Sequence, residues 1–127
     1  MKLLLDTHAF LFAIGAPQQL SPPVRDLLLD VTVPRFVSVV SFWEVATKIQ
    51  IGKLDLPLDA AFYQQHLRRL CAAVLPVESR HTFELFRLPL LHKDPFDRLL
   101  VAQARVDSLT LVTRDEFIPK YEVQVLW

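Results

Sequence analysis

Short apolar runs alternate with stretches of helical periodicity along the whole chain, and that alternation most constrains its fold. Residues 2–5 read as a strand and 7–14 as a helix, broken at Gly15-Ala16-Pro17. Ser21 then offers an N-cap with Pro22 at the first helical position, and Val24, Leu27 and Leu28 supply an apolar stripe. Residues 35–40, rich in Val and Phe, predict a strand. Residues 41–50 carry Phe42, Val45, Ala46 and Ile49 at helical spacing, and Gly52 ends that helix. A helix over 58–70, entered after Pro57 with Asp59 or the residue before it as its cap, precedes a short strand at 73–76. A helix over 79–87 follows. Asp94 caps the next helix, with Pro95 just inside it and Phe96, Leu99, Leu100, Gln103 and Val106 on its stripe. Residues 109–113 and 122–126 close the chain as strands. Strands alternating with helices predict an α/β fold, a mostly parallel sheet with helices on both faces.

The 127 residues suit a single domain, 1–127, with its own core. Apolar residues at 52% and charged ones at 22% exclude a disordered chain. No apolar run approaches a membrane span, and Asp6 interrupts any signal-peptide core. Cys71 stands alone, so an intrachain disulfide and a cysteine zinc cluster are both excluded. A cytoplasmic protein is expected. Fourteen basic against fourteen acidic residues argue against non-specific coating of nucleic acid. A local basic rim remains open to Lys48, Lys53, His92, Lys93, Arg98 and Arg114. Residues 9–14 are apolar on every side, which predicts a helix buried on more than one face, in the core or against a partner chain.

Four acids mark the ends of apolar runs or the helix starts after them: Asp6, Glu44, Asp97 and Asp115. In an open parallel sheet the ligand crevice lies outside the carboxyl ends of the strands. Acids delivered there from separate segments repel one another unless a proton or cation intervenes. Each also has a purely structural account. Asp6 caps the helix that follows it. Ser41-x-x-Glu44 and Thr113-x-x-Glu116 fit capping boxes, the latter with Asp115 in a first helical turn. Glu44 and Lys48 form an i,i+4 pair. Asp97 profits from a helix dipole, while Asp94 is the cap itself. Two observations favour a joint site. Asp97 shares a helix flank with Val101 and Ala104, and Asp6 follows three leucines with few cations close in sequence. A hard divalent ion with oxygen ligands satisfies both.

Rival constellations are missing. His8, His66, His81 and His92 lack metal-ligand spacing, there is no glycine-rich phosphate loop, and Ser38 and Ser41 sit in no nucleophile elbow. An aspartyl phosphatase would want a second acid where His8 stands.

The same residues carry a family resemblance. Leu3 to Leu11 (Leu-Leu-Leu-Asp-Thr-His-Ala-Phe-Leu) resembles the first motif of PIN-domain ribonucleases, in particular VapC-type toxins. Ser38 to Lys48 with Gly52-Lys53-Leu54 resembles the second, and His92 to Ala104 the third and most specific. Leu111 to Asp115 resembles the fourth. Phe12 stands where tryptophan is common in this subgroup. The resemblance spans nearly the whole chain. It implies a three-layer α/β/α sandwich with the first strand central. It also implies a pocket in which Asp6, Glu44, Asp97 and Asp115 hold one or two Mg²⁺ or Mn²⁺ ions, supported by Thr113 and Thr7.

By that resemblance the activity is hydrolysis of RNA phosphodiester bonds, in single strands or loops, leaving a 5′-phosphate and a 3′-hydroxyl. Lys48, Lys93, Arg98 and Arg114 are the candidate RNA-binding residues. A cognate antitoxin and a homodimer are implied, and an antitoxin Arg or Lys would suit the four acids. Two alternatives stay open: a non-catalytic RNA- or protein-binding module with a structural metal, and a nuclease acting on DNA.

Overall fold

In the computed structural model, which describes residues 1–127, the strands are β1 (Leu3–Leu5), β2 (Arg35–Ser38), β3 (Ala73–Leu75), β4 (Thr110–Val112) and β5 (Val125–Leu126). The helices are α1 (Thr7–Gly15), α2 (Pro22–Leu29), α3 (Val39–Gln50), α4 (Ala60–Arg69), α5 (Ser79–Leu85) and α6 (Pro95–Val106). The sheet order is β3-β2-β1-β4-β5, and every pairing is parallel. The expected architecture is therefore present, with β1 at the centre.

Pleating divides the core between the two sheet faces. Leu3 and Leu5 pack with Phe10, Val24, Val37, Val45 and Leu67 under α1 to α4. Leu4 and Leu111 pack with Leu100, Val101 and Ala104 under α6. The chain runs from β1 outward to β2 and β3, then crosses back through α5 and α6 to β4 and β5. The order thus reverses between β1 and β4, and the crevice belongs at their carboxyl ends.

Local signals place most helix ends. Asp6, Ser21, Asp59 and Asp94 each accept a backbone N–H as N-caps, Asp94 from both Phe96 and Asp97. Gly52, at φ 78°, takes the left-handed position that closes α3. At the sheet's amino end, buried Arg35 donates to the carbonyls of Leu28, Asp30 and Val33, which ties the turn before β2.

Three expectations are corrected. Helix α3 starts at Val39 with Ser38 as N-cap, so Glu44 lies mid-helix and makes no capping box with Ser41. Ser38 is suited to that role because Gln103, buried on α6, accepts its hydroxyl at 2.5 Å and donates to the Pro76 carbonyl. No α-helix follows Thr113, so Glu116 caps nothing; a single 3₁₀ turn, Ile118–Lys120, stands there instead. Helix α1 is not buried on several sides: Thr7, Ala9 and Phe10 are buried, while Leu11 to Ile14 are only half-covered.

Candidate active site

The caps and the pocket are built from the same residues. Asp6 leaves the end of β1, and its Oδ1 accepts the Ala9 N–H at 2.7 Å. Burial pushes its carboxyl up. The Thr113 hydroxyl beside it, the Ala9 N–H and His8 oppose that shift, and Glu44 adds to it. Thr113 directly follows β4, and its Oγ1 accepts the Asp115 N–H at 3.0 Å. Asp115 in turn accepts the N–H groups of Phe117 and Ile118 through Oδ1. This local turn replaces the expected helix and holds a partly exposed carboxylate close enough to Asp97 for its charge to be felt there.

Glu44 reaches the same place from the second turn of α3. It is buried, its Oε1 accepting the Thr7 hydroxyl at 2.6 Å and its Oε2 facing Lys48 Nζ at 2.5 Å. Thr7 also lies 3.0 Å from the Ser41 hydroxyl. Burial alone would lower the Lys48 ammonium. Its hydrogen bond to Glu44 and the charges of Glu44, Asp94 and Asp97 more than offset this, and hold it above the ordinary value.

Asp97 is where the pocket's charge converges. Its carboxyl is pushed up to about 7, first by burial and then by Asp94, Asp115, Glu44 and Asp6. Four acids from α6, β4's exit, α3 and β1 thus act on one group. The imidazole that touches Asp97 is His92, with Nε2 3.4 Å from Asp97 Oδ2 and Nδ1 2.7 Å from the Tyr121 hydroxyl. The sequence places His92 near the acids, at the start of the third motif, but assigns it no role. Its approach to Asp97 depends on a loop fold no local motif encodes, with the ring stacked on Phe117 at 5.7 Å.

The rim cations differ in disposition. Lys48 is inside the pocket and Lys93 is exposed. Arg98 is spent on the Pro89 carbonyl and the Tyr121 hydroxyl. Exposed Arg114 lies over the Phe12 ring at 4.7 Å. Trp43, next to Glu44, is 55% exposed yet fixed edge-on against Phe96 at 4.6 Å.

In donor chemistry and charge the pocket fits a hard divalent cation: its acids offer only oxygen, and their mutual repulsion goes largely uncompensated. The ligating arrangement itself is not closed. No three His, Cys, Asp or Glu side chains stand around a common point as they are now turned. Glu44 faces Lys48, and Asp115 faces its own turn. Gathering the acids on one ion requires those side chains to rotate.

A parallel α/β domain with converging acids at its switch point defines a class, and sequence comparison names the family. The family description "PIN domain" matches residues 3–123. The chain belongs to the PIN-domain family. No curated protein sequence matches it. Among solved structures it is similar to VapBC2 from Rickettsia felis bound to a promoter DNA fragment, with TM-score 0.73, 17% identity, and 99% and 98% of the two chains covered. A toxin–antitoxin complex from Klebsiella pneumoniae gives 0.62, 16%, and 99% and 97%. FitAcB from Neisseria gonorrhoeae gives 0.64, 19%, and 98% and 96%. At such identities these likenesses speak for the fold. No helix is long and apolar enough to cross a membrane.

Proposed function

We propose that this chain is a Mg²⁺- or Mn²⁺-dependent endoribonuclease, the VapC-type toxin of a toxin–antitoxin pair. The observation that carries the reading is Asp97, a carboxyl raised to about 7 first by burial and then by its helix cap Asp94 and by Asp115, Glu44 and Asp6 from three other segments. So much like charge at a switch point is costly to the fold and is explained by a cation the pocket exists to bind. Asp6, Glu44, Asp97 and Asp115 are the proposed ligands. Thr7 and Thr113 orient Glu44 and Asp6. When bound, the ion supplies activation of water and charge neutralisation at the phosphate.

The chain's own residues do the rest. Asp97 and Asp6 orient the attacking water, which adds to phosphorus as the bond to the 3′-oxygen breaks. The products are a 5′-phosphate and a 3′-hydroxyl. Lys93 and Arg114, both exposed, are available to the flanking phosphates. Arg98 contributes by holding the loop at Pro89 and Tyr121. The exposed face of Trp43 offers a stacking surface for an unpaired base, which favours single-stranded RNA.

Partner surfaces support the same reading. A groove of about 360 Å³ between α3, α4 and the β3 edge is lined by Phe42, Val45, Ile49, Tyr63, Leu67 and Val74. It suits an amphipathic antitoxin segment. Phe83, Phe86, Leu90 and Leu91 are exposed on α5 and the loop after it, with Phe86 87% exposed. That strip suits a second copy of the chain. Such a protein works in the cytoplasm.

The deciding experiment incubates purified protein with total RNA and with DNA, in Mg²⁺, Mn²⁺ or EDTA, beside Asp6→Asn and Asp97→Asn variants. Chelator-sensitive RNA cleavage that both variants lose is the expected result. Binding without cleavage would make the protein a binding module, and cleavage of DNA alone would change its substrate.

A further inference from the structure

Lys48 is the only lysine or arginine paired with any of the four acids. An i,i+4 Glu–Lys pair on a helix surface joins two solvated groups and contributes little. This pair is of another kind. The Glu44 side chain is 3% exposed and that of Lys48 35%, so the ammonium reaches inward to a carboxylate sealed from water. The only other side chain bonded to Glu44 is the neutral Thr7 hydroxyl. Asp94 and Asp97, across on α6, also feel the ammonium. A carboxylate so buried requires a charged partner, and Lys48 supplies it from within the chain.

We propose that Lys48 is the resident counter-cation of the acidic pocket, and that a divalent ion binds by taking Glu44 away from it. The inference rests on reading the pocket as a divalent-metal site. Two costs then oppose metal binding: breaking the Glu44–Lys48 pair, and placing a second cation beside the first. Lys48 stabilises the metal-free protein and lowers its metal affinity by the same interaction. Once released, its partly exposed ammonium lies at the pocket mouth, beside the incoming phosphate.

The test compares wild type with Lys48→Met, which keeps the stem and removes the charge. Mn²⁺ binding is followed by calorimetry, and thermal unfolding in EDTA and in Mn²⁺. Lys48→Met is expected to melt lower in EDTA, to gain more from Mn²⁺, and to bind Mn²⁺ about tenfold more tightly. A lower melting point with unchanged or weaker Mn²⁺ affinity would mean a merely structural lysine and overturn the proposal. Should Lys48→Met fail to fold without metal, NMR of the wild-type Lys48 ammonium during Mg²⁺ titration decides instead. Its signal is expected to move to that of a solvated lysine, and a static signal while the Asp97 amide shifts would refute the exchange. Lys48→Arg, which keeps the charge, is expected to bind Mn²⁺ no more tightly than wild type. Asp97→Asn separates the two claims. If it binds Mn²⁺ like wild type, the metal-site reading fails; if it loses Mn²⁺ while Lys48→Met leaves affinity unchanged, only the role of Lys48 fails.

Discussion

Ionised Asp97 carries a cost that a proton, a cation or loss of the charge removes. With its carboxyl near 7 in the fold and near 3.8 outside it, the native state holds this proton more tightly than the unfolded state does. The resulting stability is full below about pH 4, falls as pH rises, and is gone above about 7. Asp97→Asn is therefore expected to melt higher in EDTA at pH 8, its unfolding free energy raised by about 2 kcal/mol after allowance for water at the pocket mouth. Its advantage over wild type should shrink towards pH 4, and added Mg²⁺ should stabilise wild type alone. Calorimetric scans across that pH range check this. An Asn variant that is both inactive and more stable separates function from folding at one residue. Trp43 permits a second measurement at this scale. Single-stranded RNA should quench its fluorescence in a Trp127→Phe background, and Trp43→Ala should weaken RNA binding several-fold. Unchanged binding would remove Trp43 from the substrate path.

Helices α5 and α6 are joined by a partly buried polar clamp that lies apart from the pocket. His81 is buried; its Nδ1 accepts the Glu78 N–H at 2.9 Å and its Nε2 meets Asp107 at 2.8 Å. Burial would push Asp107 up, but hydrogen bonds from His81 and Arg80, with their charges, hold it below the usual carboxylate range. Its folded value is depressed, so its contribution is present above the unfolded value and lost as pH falls through the folded one. Asp107→Ala strands the imidazole N–H and is expected to cost about 2 kcal/mol at pH 7, less in acid. Cleavage per folded molecule should be unchanged, which denaturant melts paired with activity assays would establish. The same pair shows where local reading stops. Asp59 and Asp94 announce themselves as caps because their partners lie two or three residues away. His81 and Asp107 are 26 residues apart, and nothing nearby in the chain points from one to the other.

For the whole molecule, the exposed apolar strip predicts assembly. Wild type is expected to sediment as a dimer at micromolar concentration and Phe86→Glu as a monomer; a monomeric wild type would withdraw the homodimer. The groove under α4 makes a separate prediction. Val45 is buried beneath it, whereas Ala46 is only half-covered on its wall, so Ala46→Arg should block an antitoxin peptide while leaving the fold and RNA cleavage intact. Peptide binding by calorimetry would check it.

The amino-acid sequence by itself determined the order of strands and helices, the parallel sheet and the caps at Asp6, Ser21 and Asp94, because each rests on periodicity or on contacts within one helical turn; it misplaced the start of α3 and expected a helix after Thr113. It also singled out the four acids, through their positions at the ends of apolar runs and in family motifs. Their surroundings were decided by tertiary structure alone. Only the reversal of strand order between β1 and β4 draws Asp6 and Asp115 together. Only the packing of α3 and α6 on that edge sets Glu44 against Thr7, Lys48 within reach of Asp97, and His92 beside it. Charge acts through space, and burial decides how strongly. A carboxylate's neighbours and its exposure are properties of the folded molecule, which no local pattern along the chain contains.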